Sequence, residues 1–307
     1  MAAPGRHADM LSSPGQPSEL QGFVDGWLQA QPQQQVALTF VDRRRYPGHF
    51  ALAALEQEML DAAYGAREPQ VVGNKLQWWV TELAEAPNTG GHHPLTRVLF
   101  ADARARAIPV ATWTAPVLAA MAQLGHGTAT DFQTQLAAAA PLHAALAVLE
   151  TLWWYGVDAS AEHAARVATL GHLLHALRRL PLDVDRDRMP LPMSRLAQYG
   201  LSRDRLRQAS TEQTRAVKAQ LQDLLCAWRA SDELPGPLGV FRAVASRSGR
   251  TLAGRAVAAH ESLAVLAAEP ARPGVVETLQ TWRAALAWQR ASSRATGHAR
   301  PDIRAPG

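Results

Sequence analysis

The chain has 307 residues, 47% of them hydrophobic, which is enough for one large domain or two ordinary ones with an apolar core. This composition excludes wholesale disorder. The formal net charge is +4, and the bases are mostly arginines scattered over predicted helices. A nucleic-acid partner is therefore disfavoured, because such binders gather their charge into a stripe. The single cysteine, Cys226, excludes an internal disulfide and fits a reducing compartment.

The two ends of the chain differ in composition from its middle. The first residues lack the apolar stretch of a signal peptide, and no window approaches about 18 uninterrupted apolar residues. We therefore expect no transmembrane segment and a cytoplasmic protein, with peripheral contact as the one membrane association left open. The tails 1–18 and 292–307 are predicted to be disordered, and residues 19–291 to form one domain.

Apolar spacing predicts an all-α chain, because no run rich in Val, Ile and Thr alternates long enough for a sheet. Pro87 and Pro181 predict helix ends. The helix after Pro141 is apolar on every face, which is typical of the middle of a bundle. In chain order the predicted helices are His49–Tyr64, Val72–Leu83, Leu142–Tyr155, Glu162–Leu180, Ser202–Arg229, Leu252–Ala267 and Val275–Arg290.

The signatures of common enzyme classes are missing from the sequence. It contains no GxSxG elbow, no HExxH, no paired CxxC and no GxGxxG after a strand. The aromatic pairs Trp78-Trp79 and Trp153-Trp154 could line a ligand cavity, but tryptophan on an apolar helix is more often core packing. We therefore expect packing at both pairs.

An alternating acidic run occupies Asp183, Asp185 and Asp187. Carboxylates two residues apart on an extended chain point to one side and could hold a divalent cation. Arg186 and Arg188 interleave with them, which favours a self-neutralised, solvated loop.

Three segments in order carry a family resemblance. ALAALEQEMLDAAYGAREPQVVGNKLQWWVTEL is followed by HHPLTRVL and then by ATLGHLLHALRRLPLDVDRDRMPLPMSRLAQYGLS. Together they resemble the first helical pair, the next block and the second aspartate motif of the squalene/phytoene synthase family, the head-to-head prenyltransferases. The resemblance covers about residues 36–290. It implies an isoprenoid-synthase-like helical bundle around a central apolar cavity.

In active members of that family, two DxxxD motifs on facing helices hold magnesium ions that clamp an allylic diphosphate. A spacing of four places both carboxylates of a motif on one helix face. By the resemblance, the first motif falls on the segment that contains Leu60, Asp61 and Tyr64. Both outer positions, Leu60 and Tyr64, lack a carboxylate, and only the inner Asp61 is acidic.

The second motif falls, by the same resemblance, on His175, Arg179 and Asp183. Arginine replaces the first aspartate, so one outer carboxylate of four is left, and the resemblance implies neither a catalytic residue nor a metal site. His172, His175 and Arg179 instead form a candidate phosphate-binding face, because arginine offers a fork of donors and a protonated histidine adds charge. The alternative is that Arg179 and His175 pair with acidic neighbours or face solvent.

These substitutions leave two function hypotheses. The first is a non-catalytic family member that binds an isoprenoid or lipid-like molecule, or acts on a protein partner as an assembly or scaffold factor. Leu177–Pro181 resembles the Leu-Arg-x-x-Pro of a non-catalytic branch that includes a complex I assembly factor. The second is an active squalene/phytoene synthase-type prenyltransferase that holds magnesium with displaced acids. Those acids would be Asp61, Asp183, Asp185, Asp187 and Glu56 or Glu58.

Overall fold

The computed structural model describes residues 16–65, 68–124, 127–156, 159–185, 188–268 and 274–296. Within these ranges the chain forms fifteen α helices and one 3-10 helix, and no strand. The all-α prediction is confirmed. The first elements are α1 (Gln16–Ala30), the 3-10 helix Pro32–Thr39, α2 (Pro47–Gly65), α3 (Pro69–Thr89), α4 (Pro94–Ala101), α5 (Ala103–Ala107), α6 (Val110–Gln123) and α7 (Phe132–Tyr155). They are followed by α8 (Glu162–Arg178), α9 (Leu180–Asp185), α10 (Met193–Gln198), α11 (Arg203–Leu206), α12 (Thr211–Ser231), α13 (Val240–Ala258), α14 (Ser262–Ala267) and α15 (Val275–Thr296).

Helix α7 occupies the centre of the bundle. It begins after Asp131, whose carboxylate accepts the Thr134 N–H at 2.8 Å, and it ends at Gly156, which has a φ of 87°. It lies between α6 and α8 and also contacts α2 and α15. The predicted central position of the helix after Pro141 is confirmed.

The same helix, α7, is the one helix of the described chain that is long and apolar enough to cross a membrane by length and composition. In its most apolar window, 56% of the residues are buried inside the fold. Burial among neighbouring helices accounts for this apolar composition, since a core helix needs apolar side chains on several faces.

Helix α8 presents one apolar stripe to the core. The stripe consists of the buried residues Val167, Leu170, Leu174 and Leu177. The helix ends at Arg178, and after Arg179 the chain resumes as α9 with Pro181 in its first turn, where a missing N–H costs nothing. The Asp183 N–H donates to the Arg179 carbonyl at 2.8 Å. The break is therefore short, and Asp183 stays close to the end of α8.

Two predicted helix boundaries are wrong because apolar burial outweighs proline. Helix α3 continues through Pro87 to Thr89, and α7 extends on both sides of Pro141. An interior proline costs about 3 kcal/mol, and helices in proteins gain most of their stability from the packing of their apolar faces. The buried Leu83 and Ala86 continue the packed face of α3 up to Pro87.

Other boundaries differ from the predictions at polar capping sites and at the tails. The predicted helix Ser202–Arg229 is divided into α11 and α12, because the Ser210 hydroxyl accepts the Gln213 N–H and starts a new helix. The predicted helix Leu252–Ala267 is divided between α13 and α14. Residues 16–18 and 292–296, which the sequence analysis assigns to the tails, belong to α1 and α15. Residues 1–15 and 297–307 lie outside the described residues.

Two apolar cores lie on either side of the cavity described below. One is built mainly from α1 to α7 and includes the buried Trp79, Trp153 and Trp154, while the other is built mainly from α8 to α14. The predicted packing role of these tryptophans is confirmed, whereas Trp78 is 47% exposed.

Candidate functional site

A cavity of about 1120 Å³ lies between the two cores, and its walls come mainly from α2, α7, α8 and α13. All seven residues of the two motif segments and the candidate phosphate-binding face line it. These residues are Leu60, Asp61, Tyr64, His172, His175, Arg179 and Asp183. The fold thus brings the two predicted motif segments to one cavity.

The first wall belongs to α2. Leu60 and Tyr64 lie one turn apart on this helix, and Asp61 accepts a hydrogen bond from the Gln57 side chain at 3.0 Å. The Tyr64 hydroxyl is buried without a hydrogen-bond partner. Burial raises the pKa of Tyr64, so its side chain stays a neutral hydroxyl at physiological pH.

The second wall belongs to α8, where His172, His175 and Arg179 recur at i, i+3 and i+7. Burial lowers the pKa of His172 to about 3, with a further contribution from His175. Burial and the charges of Arg179 and Arg178 lower the pKa of His175 to about 4. Both rings are therefore neutral near pH 7, so the cationic role expected of His175 is not supported, and Arg179 supplies the charge of this face.

Arg179 reaches towards Asp183 without closing a hydrogen bond to it. Its Nε lies 3.8 Å from the Asp183 Oδ1, and that Nε is buried without a hydrogen-bond partner. The neighbouring Arg178 donates from Nε to the Leu266 carbonyl at 3.0 Å, which ties α8 to α14. The end of α8 is thus held in place while Arg179 keeps a donor at the cavity.

The cavity is also lined by arginines that the sequence analysis did not single out. Arg247 and Arg255 lie on one face of α13 with Thr251 between them, and the Arg247 Nη2 is buried without a hydrogen-bond partner. Their spacing of eight, two steps of four through Thr251, places them on one helix face and is a signal that could have found them. In all, the described lining contains six arginines, Arg178, Arg179, Arg188, Arg242, Arg247 and Arg255, and four carboxylates, Asp61, Asp183, Asp185 and Glu277. The lining carries more positive than negative groups.

Glu56 and Glu58, two of the acids considered for a displaced metal site, form ion pairs and do not line the cavity. Glu56 and Glu150 both accept from Arg242, with nearest N–O distances of 3.1 and 2.7 Å. We call these three residues the closed cluster. Glu58 pairs with Lys75 at 2.7 Å and does not line the cavity.

The donor set does not fit magnesium, which prefers oxygen ligands. In the described part of the chain, no group of three or more His, Cys, Asp or Glu side chains is arranged to hold a metal ion. Asp61, Asp183 and Asp185 line the same cavity, but they do not converge in this way. Asp187 lies outside the described residues.

Comparison with known proteins gives one family and one fold. The squalene/phytoene synthase family matches residues 33–290. A dehydrosqualene synthase, crystallised in complex with ligand, matches 92% of this chain and 98% of its own, with a TM-score of 0.66 and 12% identity. Squalene synthase HpnC from Alicyclobacillus acidocaldarius matches 82% and 94%, with a TM-score of 0.55 and 18% identity. No curated protein matches the chain in sequence. At these identities the structural matches show a shared all-α fold.

Proposed function

We propose that this chain, which belongs to the squalene/phytoene synthase family, is a non-catalytic member that binds an isoprenoid or lipid-like ligand in its central cavity. The observation that carries the proposal is the cavity itself. It is large enough for such a ligand, at about 1120 Å³, and arginine predominates among its charged groups. The related dehydrosqualene synthase was crystallised with a ligand.

Charge supports binding of an anionic head group without metal. The Arg179 Nε and the Arg247 Nη2 are buried donors without hydrogen-bond partners, one at the end of α8 and the other on α13, and within the described chain Arg179 keeps only the 3.8 Å ion pair with Asp183. A buried donor that stays unpaired costs free energy, and a phosphate oxygen would satisfy it with a charge-assisted hydrogen bond. Magnesium is not needed in this scheme, because the guanidinium groups supply the positive charge.

The test is calorimetry with farnesyl diphosphate or its non-hydrolysable thio-analogue, in EDTA and in magnesium. We expect binding in both buffers. An arginine–phosphate contact in a partly buried site is worth on the order of 1.5–3 kcal/mol, so Arg179→Ala should weaken binding by about ten- to a hundredfold. Arg166→Ala is the matched control, because Arg166 lies on the same helix and does not line the cavity.

Two results would contradict this proposal. The first is binding that requires magnesium or is indifferent to Arg179→Ala. The second is turnover, detected as squalene, phytoene or released diphosphate above a no-protein control. If no ligand of this class binds, the other non-catalytic role, an assembly or scaffold protein with a protein partner, is favoured.

An active prenyltransferase is the second candidate function, and one observation supports it. Asp61 from α2 and Asp183 and Asp185 from α9 line the same cavity. The turnover assay with magnesium separates the two candidates directly. Asp183→Asn should abolish turnover if these acids hold metal, and it should leave EDTA-insensitive binding in place if they do not.

A further inference from the structure

Three rings from three helices meet at the cavity. Tyr64 of α2 stacks on His172 of α8 with ring centroids 3.9 Å apart, and His143 of α7 lies 4.9 Å from His172 and 6.1 Å from Tyr64. All three side chains line the cavity. We call Tyr64, His143 and His172 the ring cluster.

The ring cluster contains two buried polar atoms without partners. The His143 side chain belongs to a residue that is only 3% exposed, and its Nε2 has no hydrogen-bond partner. The Tyr64 hydroxyl is also buried without a hydrogen-bond partner. Buried polar atoms in native proteins are nearly always hydrogen-bonded, and leaving one unpaired is costly. Both side chains line the cavity although the two atoms themselves have almost no accessible surface, so a small movement of either ring would bring its polar atom to a partner inside the cavity.

The chemistry of that partner follows from the absence of charge on the cluster. Burial lowers the pKa of His143 and of His172 far below the neutral range, and burial raises the pKa of Tyr64. Neutral rings lack the positive charge that stabilises a buried anion. Arg242 also lines the cavity and its charge acts on His143, but it is already paired with Glu56 and Glu150. The anionic end of a ligand would therefore find positive charge at Arg179, seven residues and a helical rise of about 10 Å beyond His172. The ring cluster is thus a separate, neutral subsite.

We propose that the ring cluster binds an uncharged oxygen function, a hydroxyl or a carbonyl group, carried by the isoprenoid or lipid-like ligand. A tyrosine hydroxyl donates and accepts, and a neutral imidazole nitrogen does one or the other. A ligand hydroxyl, which also donates and accepts, can satisfy both atoms, while a carbonyl oxygen can accept from both. The inference rests on the proposed function only in requiring that the cavity holds such a ligand.

The experiment compares farnesol with farnesene, which has the same number of carbons and no oxygen. Competition native mass spectrometry of the full chain gives the ratio of the two affinities. Each neutral hydrogen bond contributes a modest factor, so we expect farnesol to bind about tenfold more tightly. Tyr64→Phe keeps the ring stack and should reduce the ratio to about threefold. Tyr46→Phe is the matched control, because Tyr46 does not line the cavity, and it should leave the ratio unchanged.

Adding His143→Leu to Tyr64→Phe should bring the ratio to about one, with circular dichroism confirming the fold. Equal binding of farnesol and farnesene to the wild type would overturn the inference, as would a ratio unaffected by Tyr64→Phe. In either case water serves the two polar atoms. The proposed function fails separately, when farnesyl diphosphate, farnesol and farnesene all fail to bind, and that result ends both proposals. Binding of the diphosphate without preference for farnesol removes only the ring-cluster subsite.

Discussion

The closed cluster and the ring cluster are built on the same two helices with opposite results. Helix α2 contributes Glu56 to the first and Tyr64 to the second, while α7 contributes Glu150 and His143. From the closed cluster to the ring cluster the residue numbers increase along α2 and decrease along α7. The two helices are therefore antiparallel here. In the closed cluster Arg242 joins the two carboxylates, whereas the ring cluster leaves two buried atoms unpaired.

This difference separates polar groups that serve the fold from polar groups that face a ligand. A buried ion pair whose hydrogen bonds are complete needs no ligand, and breaking it lowers the stability of the folded state without affecting ligand contacts. A buried polar atom that is left unpaired raises the free energy of the folded state until something binds to it. We therefore expect substitutions in the closed cluster to change stability, and substitutions on the cavity wall to change binding.

The largest expected effect is on the closed cluster. Arg242→Ala leaves Glu150 buried without its cation, beside a Glu56 that burial keeps protonated, which should lower the free energy of unfolding by about 3–5 kcal/mol. The matched control is Arg247→Ala on the same helix, because Arg247 forms no salt bridge with any described residue. It should change stability by about 1 kcal/mol or less, because the desolvation penalty of an unpaired charge offsets its lost packing.

Urea unfolding of the two variants decides the matter. Equal losses for Arg242→Ala and Arg247→Ala would erase the distinction between the two regions. A small loss for Arg242→Ala alone would mean that water reaches the closed cluster once the arginine is removed.

The next effect is a pH dependence of opposite sign in the two clusters. Burial raises the pKa of Glu56 from 4.5 to about 8, with Glu150 adding to the shift and Arg242 opposing it. The folded state therefore keeps a proton that the unfolded state loses, and stability falls as pH rises from about 4.5 to 8. Burial lowers the pKa of His172 from 6.5 to about 3. Here the unfolded state binds the extra proton, so stability falls as pH drops below about 6.5.

Thermal unfolding from pH 4 to pH 9 measures both slopes. Glu56→Gln should make the fall on the alkaline side shallower and leave the acid side in place. His172→Phe should make the fall on the acid side shallower without removing it, because burial also lowers the pKa of His49, His143 and His175. If Glu56→Gln leaves the alkaline slope unchanged, Glu56 is ionised in the folded protein, and Arg242 rather than burial governs its charge.

The sequence predicts the long helices better than it predicts their ends. The spacing of Val167, Leu170, Leu174 and Leu177 gives the buried stripe of α8 directly, since helical periodicity is local information. The passage of α3 through Pro87 is not local, because it depends on apolar burial against other helices. Short helices such as α9 and α11 could not be predicted either, since a few residues cannot show a helical period of apolar side chains.

The family resemblance predicts that segments of α2 and α8 face each other, whereas the residues alone reveal the site only where it follows one helix. His172, His175 and Arg179 lie on one face of α8, and the spacing of the residues alone shows this. The ring cluster and the closed cluster join residues from three helices, so a single sequence does not reveal which side chains meet. His143, a polar residue within the Ala- and Leu-rich α7, is the one member of the ring cluster that the sequence analysis did not single out.

The smallest expected effect compares two single hydroxyls. The Tyr155 hydroxyl donates to the Leu238 carbonyl at 2.7 Å, whereas the Tyr64 hydroxyl is buried without a partner. Tyr155→Phe should lower the free energy of unfolding by about 0.5–1.5 kcal/mol, because it leaves a carbonyl unpaired. Tyr64→Phe should leave stability unchanged or raise it by up to about 1 kcal/mol, since it removes an unsatisfied polar atom. Differential scanning calorimetry of the ligand-free variants resolves differences of this size. If Tyr64→Phe is as destabilising as Tyr155→Phe, the Tyr64 hydroxyl already has a partner in the free protein, and the cavity wall is no more open than the closed cluster.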